Sequence, residues 1–456
     1  MRLVILGGGG FRVPLVHGAL LRDALAGHEP RVTEVVLYDE SPGRLHAVTR
    51  VLEQMARSDG YAPAEGPTVR STTDLDQALS GAEFVFSAIR VGGLRGRTCD
   101  ERVALELGVL GQETTGPGGI AYALRTIPVA RRVAERVRAC CPDAWVINFT
   151  NPAGMVTEAM QQVLGDRVVG ICDSPIAMVR RVARALRLDP DRTTPEYVGL
   201  NHLGWLQGLQ HDGRDVLPDL LGSDDALRRV EEARLFGTEW VRLLGAVPNE
   251  YLYYFYFARE AVASILAAPG TRGEFLLRQQ EGFYERTAAD PDGAWAAWQR
   301  VRRERDETYM QESRDERSAG ERDEEDLQGG GYEGVALALM GAIARGERST
   351  MILDVRNGSA VAGLPADAVV EVPCAVSASG PRPLTTRPLP GAQLGLLQQV
   401  KAVEQLTIRA AATGSRALAL EAFGLHPLVD SFTTARSLLD GYLERIPEVA
   451  AALPNA

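Results

Sequence analysis

Two short apolar stretches of this chain each end on residues able to hold a transition metal. Residues 168–171 run into Cys172 and Asp173, and residues 197–200 run into Asn201 and His202. A thiolate and an imidazole together bind a divalent metal and leave positions open on it for a ligand. The pair fits no standard zinc spacing, so the competing reading is a buried free cysteine and a core histidine. Neighbouring sequence decides between them.

The first neighbour is a nucleotide-type turn. Residues 2–6 (R-L-V-I-L) form an apolar strand, and Gly7, Gly8, Gly9 and Gly10 follow at once, then Phe11. A helix is expected from near Pro14, and a second strand over 32–38 ends on Asp39. Glycines let a backbone approach a pyrophosphate at a helix N-terminus, and an acid after the second strand accepts from ribose hydroxyls. Arg12 stands where the G-x-G-x-x-G pattern has its third glycine. Asp39 would repel a 2′-phosphate, which favours NAD over NADP.

The unit then repeats. A helix over 75–79 precedes a buried strand over 84–89 that places Ser87 and Ile89 at its active end. A helix over 128–140 precedes a strand over 144–148, and N-F-T-N-P-A turns the chain before the strand at 168–171. Ligands of such folds lie outside the carboxyl ends of the strands. The glycine turn, residues 87–90, 148–151 and 172–173 therefore converge on one crevice, with the metal pair beside the nicotinamide position. Residues 90–128, rich in glycine and carrying Arg90, Arg95, Arg97, Arg102 and Arg125, are expected as a long functional loop. Arg95 and Arg102 are assigned to a solvated face, and Arg90 to the crevice.

Composition bounds the rest. The chain has 456 residues, 45% hydrophobic and 24% charged, with a formal charge of −11. That is a globular composition with ample core, and its sign argues against nucleic acid or an anionic membrane as partner. No signal peptide is expected before the first strand, and no apolar run reaches the roughly 18 residues of a membrane span. Five cysteines without scaffold spacing suit a reducing cytoplasm. The expected architecture is α/β: a Rossmann-like, doubly wound sheet over residues 1–175, with a mostly helical α+β lobe over 176–456 for substrate, metal and oligomer contacts. In that lobe helices are expected at 226–245, 274–289, 333–345, 391–412 and 415–445, with antiparallel strands near 350–356 and 368–374. The charged run 302–328 reads as a solvated helix passing into a mobile loop, with a lid or subunit contact as the alternative.

The motifs make the resemblance specific. V-I-L-G-G-G-G (4–10), I-R-V-G-G (89–93), D-E-R (100–102), G-Q-E-T-T-G-P-G-G (111–119) and A-L-R-T-I-P-V (123–129) occur in order. N-F-T-N-P-A (148–153), G-I-C-D-S-P (170–175), G-L-N-H-L-G-W (199–205), P-N-E-Y-L-Y-Y-F (248–255) and N-G…L-P (357–365) follow. Together they resemble glycoside hydrolase family 4, most closely its 6-phospho-β-glucosidase branch, whose fold is similar to lactate and malate dehydrogenases. That NAD-dependent group stands outside the two-carboxylate chemistry of most glycosidases.

The resemblance implies NAD and a divalent metal, usually Mn²⁺, held by Cys172 and His202. It implies oxidation at C3 of the sugar, deprotonation at C2, elimination of the aglycone, addition of water and re-reduction. Tyr251 falls at the family's base, within a cluster (Tyr253, Tyr254, Tyr256) that otherwise reads as aromatic core. Asp173 falls where α-specific members carry a general acid and many β-specific ones carry asparagine; a partner role beside the metal is the alternative. Arg90 and Arg272 fall near phosphate-handling positions, with Asn151 at the sugar or phosphate. The expected substrate is a phosphorylated disaccharide or aryl glycoside, and the expected assembly a homodimer or homotetramer. Competing readings are a 6-phospho-α-glucosidase or a family member on an unphosphorylated sugar, an NAD-dependent 2-hydroxy-acid dehydrogenase, and a nucleotide sensor without catalysis.

Overall fold

Short apolar runs that do not alternate with polar residues call for strands buried on both faces. The computed structural model describes residues 1–58, 66–308 and 331–455. In it β1 (Arg2–Leu6), β2 (Glu34–Tyr38), β3 (Thr68–Thr72), β4 (Phe84–Ser87), β5 (Trp145–Asn148) and β6 (Val168–Gly170) lie parallel in the order β3-β2-β1-β4-β5-β6. This is the Rossmann order. Leu3 and Ile5 enter the core on one face of the sheet, Val4 and Leu6 the core on the other.

The sheet does not stop at β6. β10 (Ser349–Arg356) adds antiparallel to it, followed by β11 (Val369–Ser377), β7 (Thr193–Leu200), β8 (Leu203–His211) and β9 (Val247–Pro248). The strands expected near 350–356 and 368–374 thus extend the parallel sheet directly. Two of these joins are narrow, with Asp354 opposite Gly170 and Glu371 opposite Gly199 as the paired residues. The strands that lead into Cys172 and His202 flank this part of the sheet.

Helices α1 (Val13–Leu25), α2 (Pro42–Met55) and α3 (Leu75–Leu79) alternate with the first strands. The expectation of an irregular loop over 90–128 is corrected. Helix α4 (Gly93–Glu106) fills much of it, and α5 (Pro117–Cys140) starts well before Pro128, which lies inside that helix. The buried faces of these helices mix apolar residues with charged ones, which interrupts the apolar pattern that would mark them. Arg97, Asp100, Glu101 and Arg125 are all inside. Arg125 donates from both terminal nitrogens to Asp100 at 2.7 and 2.6 Å, with neither side chain exposed. Glu113 and Glu101 neutralise Arg97.

After β5 and β6 come α6 (Ala153–Leu164) and α7 (Ser174–Ala185). Later helices include α8 (Arg272–Ala289), α9 (Ala294–Glu307), α10 (Tyr332–Arg345) and α11 (Gly391–Thr413). The single helix expected over 226–245 is three short ones, Asp224–Arg228, Glu231–Phe236 and Thr238–Leu244, the last two separated by Gly237 at φ +85°. Residues 415–445 likewise form two, Arg416–Leu425 and Phe432–Arg445, with Pro427 between them. Residues 302–307 of the charged run belong to α9, and 309–328 lie outside the described residues. Among the described residues no helix is long and apolar enough to cross a membrane.

Candidate active site

The glycine turn is built from the main chain. Gly7 and Gly8 both donate to the Tyr38 carbonyl at 2.9 and 2.7 Å, and Gly10 donates to Gly7 at 2.8 Å. Gly7 sits at φ +81°, and a Cβ there would meet the Ala88 carbonyl at 2.6 Å, so only glycine closes this turn. Asp39 accepts from the Gly9 amide at 3.1 Å and from the Ser41 amide at 2.9 Å. It therefore stands at the end of β2 beside the glycines, where a ribose-binding acid belongs.

The C-terminal half grips this turn. The Gly9 carbonyl accepts from the Tyr284 hydroxyl at 2.7 Å, the Phe11 carbonyl from the Trp298 ring nitrogen at 2.7 Å, and the Arg12 carbonyl from the Tyr332 hydroxyl at 3.0 Å. Phe11 itself packs among Phe283 and Trp298. Arg12 lies over the Phe149 and Tyr332 rings, at 5.6 and 5.2 Å from their centroids. Such a guanidinium gains from the ring faces.

A cavity of about 2000 Å³ opens from the turn along the carboxyl ends of the strands. Gly7, Gly10, Phe11, Asp39, Ile89, Arg90, Asn151, Cys172, Asp173, His202, Tyr251 and Arg272 all line it. Gly8 and Gly9 lie behind its wall. Ser87 is buried beneath the floor with its hydroxyl 2.9 Å from that of Thr150, whose oxygen also accepts the Ile89 amide at 3.0 Å. Asn148 shapes the same corner: it accepts from the Thr150 amide and donates to the Thr150 carbonyl, both at 3.1 Å.

At the far end, Cys172 and His202 are buried and face one space. The Cys172 sulfur accepts from the Ser174 amide at the start of α7, but burial, Glu371 and Asp173 push its thiol well above the usual range. Burial holds His202 neutral, its pKa lowered to about 4. Its backbone sits at φ +64°, an uncommon conformation for a side-chain-bearing residue and one that clusters at functional sites. The Tyr251 ring lies flat on the imidazole, centroids 3.6 Å apart and planes within 6°. Stacking covers the face of the imidazole and leaves its edge to the cavity.

Tyr251 is held by its neighbours in the turn. Asn249 accepts the Tyr251 amide at 3.1 Å and donates to the Gly204 carbonyl at 2.9 Å, and Ser174 donates to Glu250 at 3.0 Å. The turn is thereby tied to β8 on one side and to the Cys172–Asp173 corner on the other. Asp173 is the N-cap residue of α7, yet its carboxylate makes no capping bond and lines the cavity instead. Among the described residues no three His, Cys, Asp or Glu side chains are grouped to hold a metal. The donor set here is a neutral imidazole and a thiol. That fits a two-ligand site for a borderline metal whose remaining positions face a substrate.

Between the two ends lies a basic wall. Arg90 and Arg97 share Glu113, with Arg97 at 2.6 Å. Arg272, at the first turn of α8, donates to the Thr308 carbonyl at 3.0 Å and the Arg305 carbonyl at 2.9 Å, so it also caps the end of α9. Arg305 is a cleft residue that the sequence does not single out. Burial, then Arg12, Arg272, Arg97 and Arg90, push its pKa well below the usual range, and no described carboxylate pairs with it. Its surroundings are short of negative charge. Arg95 and Arg102 point elsewhere, to Glu281 and Glu274, with Arg95 largely exposed. In the sequence Arg97 is one arginine among several, and Arg305 is hidden in a run of mixed charge.

A dinucleotide-type fold thus brings the glycine turn, the Cys172–His202 pair and an arginine-rich wall into one cleft. Residues 2–188 match the model of the family 4 glycosyl hydrolases and residues 197–429 that of their C-terminal domain, and the chain belongs to this family. It is a glycosidase. A probable 6-phospho-beta-glucosidase of Bacillus subtilis is 34% identical, over 97% of this chain and 96% of the relative. The Thermotoga maritima 6-phospho-beta glucosidase structure with NAD and glucose-6-phosphate superposes with TM-score 0.81 at 26% identity, covering 98% of this chain and 99% of the other. A 6-phospho-alpha-glucosidase from gut microorganisms, in complex with NAD and Mn²⁺, gives 0.81 and 26% over 100% and 99%.

Proposed function

We propose that this chain hydrolyses 6-phospho-β-glucosides to glucose 6-phosphate and an aglycone, using NAD and a divalent metal, Mn²⁺ by analogy with the relatives. The observation that carries the reading is the single cleft, which collects the glycine turn, the Cys172–His202 pair and the arginine wall. When bound, NAD⁺ supplies a reversible hydride acceptor and the metal a Lewis acid for negative charge developing on sugar oxygen. The residues of the chain do the rest. Gly7–Gly10 and Asp39 hold the nucleotide at the mouth of β1. Cys172 and His202 hold the metal at the ends of β6 and β7. Tyr251 takes the proton from C2 of the sugar and later returns one. A free phenol titrates near 10, so this role at neutral pH needs the adjacent cation. Arg90, Arg97 and Arg305 receive the 6-phosphate, Arg272 fixes the segment that carries Arg305, and Asn151 orients the sugar.

The β assignment follows a curated relative at 34% identity. Asp173 favours a second reading. A cavity-facing carboxyl that caps no helix is placed to protonate a leaving group, which suits a 6-phospho-α-glucosidase. One assay decides: turnover of p-nitrophenyl 6-phospho-β-glucoside, its α-anomer and the unphosphorylated β-glucoside, with NAD⁺ and Mn²⁺. Fast turnover of the first alone supports the proposal. Preference for the α-anomer establishes the second reading, and equal rates with and without phosphate remove the arginine wall from substrate binding.

A further inference from the structure

The G-Q-E-T-T-G-P-G-G segment lends only Glu113, a neutralising partner, to the site described above, yet it also touches His202. Thr114 Oγ1 lies 3.0 Å from His202 Nδ1 and 3.0 Å from Gln112 Oε1. Neighbouring groups fix the direction of both bonds. Gln112 Oε1 also accepts the Thr114 and Thr115 amides, each at 2.6 Å. Two backbone N–H groups converge on that atom, so it must be the amide oxygen, since a flipped NH₂ would face two donors. The Thr114 hydroxyl has one proton, and only it can fill the contact with Gln112 Oε1. Its oxygen is then left to accept from the imidazole.

We infer that Thr114, oriented by Gln112, is a positioning residue that fixes His202 as the Nδ1–H tautomer and so leaves Nε2 unprotonated for the metal. This rests on the reading of His202 as a metal ligand. A hydrogen bond to the non-ligating nitrogen selects the tautomer and ring orientation of metal-binding histidines generally. It operates here before any metal arrives. Backbone packing holds the relay in place. A Cβ on Gly118 would sit 2.2 Å from the Gln112 carbonyl, and one on Gly119 2.5 Å from that of Thr114. The loop therefore rests directly on the first turn of α5, with no space for a side chain between them. That contact accounts for the paired glycines at the end of the motif. Tyr251 stacks on the face of the same ring, so its edge is governed by Thr114 and its face by Tyr251.

The test is long-range ¹H–¹⁵N NMR on the metal-free, ¹⁵N-histidine-labelled full chain, with His202→Ala identifying the resonance, alongside Mn²⁺ binding followed by loss of the free-ion EPR signal. The wild type should show a single Nδ1–H tautomer at His202. Thr114→Val, nearly isosteric, should show a mixture and bind Mn²⁺ about 10- to 100-fold more weakly. Thr114→Ser should restore both properties, and NAD⁺ affinity should stay within about twofold throughout. An Nε2–H tautomer in the wild type overturns the inference without any variant. So does Thr114→Val with the wild-type tautomer and Mn²⁺ affinity. Undiminished Mn²⁺ binding by His202→Ala would instead remove the ligand reading beneath it, whatever the tautomer.

Discussion

The two ends of the cleft are made differently. At the glycine turn the polar groups are backbone amides and carbonyls, held by Tyr38 and Asp39 on one side and by Tyr284, Trp298 and Tyr332 on the other. At the opposite end the groups are buried side chains whose titration burial shifts. Burial moves the Cys172 thiol up and the His202 imidazole down, and His202 sits on left-handed backbone; Arg305, in the wall between the ends, is a guanidinium crowded by four others. A site that only binds can be fully satisfied in advance. A site that must take up charge during a reaction is left incomplete, and cofactor, metal and substrate complete it.

That contrast predicts where substitutions will hurt. The largest effect belongs to Cys172→Ser or His202→Ala, which should abolish measurable hydrolysis while NAD⁺ binding, followed by quenching of protein fluorescence, stays near wild type. Wild-type hydrolysis by both variants without added metal would erase the distinction between the ends. Tyr251→Phe comes next. Losing a positioned proton acceptor typically costs about 10²- to 10⁴-fold, and the loss should appear in kcat.

Arg305→Ala should lower kcat/KM for a phosphorylated substrate by about 10- to 100-fold, since a charge-assisted hydrogen bond is worth about 1.5–3 kcal/mol. The unphosphorylated glucoside should be unaffected. An equal loss on both substrates would mean that Arg305 supports the fold and not the phosphate.

At the satisfied end the effects should be small. Tyr284→Phe removes one hydrogen bond to the Gly9 carbonyl, worth about 0.5–1.5 kcal/mol. It should weaken NAD⁺ by a few-fold in calorimetry without changing kcat at saturation. A hundredfold loss there would show that the turn is no more self-sufficient than the metal end.

Behind the metal end, one more buried imidazole, that of His426, should make stability depend on pH. Burial lowers the pKa of His426 to about 3. An unfolded imidazole titrates near 6.5, so below that pH the unfolded chain binds more protons than the folded one. The contribution of His426 is fully present above about pH 6.5 and is lost as pH falls toward the folded value. Between pH 7 and pH 5 this one group accounts for about 2 kcal/mol. His426→Gln should show a correspondingly smaller fall in unfolding free energy over that range.

The same contrast explains how much is legible in the sequence. A glycine turn followed by an acid after the next strand is a local pattern, and its geometry follows from backbone sterics. Cys172 and His202 are legible because each ends an apolar strand. Helix α4 and the first turns of α5 are less so, because Asp100 and Arg125 put buried charge among the apolar positions that would mark a helix. Arg305 reaches the cleft only because α9 packs over Phe11, a contact with no local signature. Composition does carry one sign of the buried polar architecture. Lys401 is the only lysine in a chain rich in arginine. It is buried with Glu158 at 3.0 Å and Glu404 at 2.5 Å, and Glu404 lines a small cavity together with Asn201 and His202.

In the proposed function the cleft works by moving a proton at C2 of the sugar and not by an oxocarbenium route between two carboxylates. Hydrolysis of the preferred phosphoglucoside in D₂O, with the product sugar read by NMR, tests it directly. Two-carboxylate hydrolysis leaves the C2–H bond intact. The expected result is deuterium at C2, no turnover without NAD⁺, and parallel slowing of exchange and hydrolysis in Tyr251→Phe. Product that keeps protium at C2, formed at full rate without NAD⁺, would contradict it.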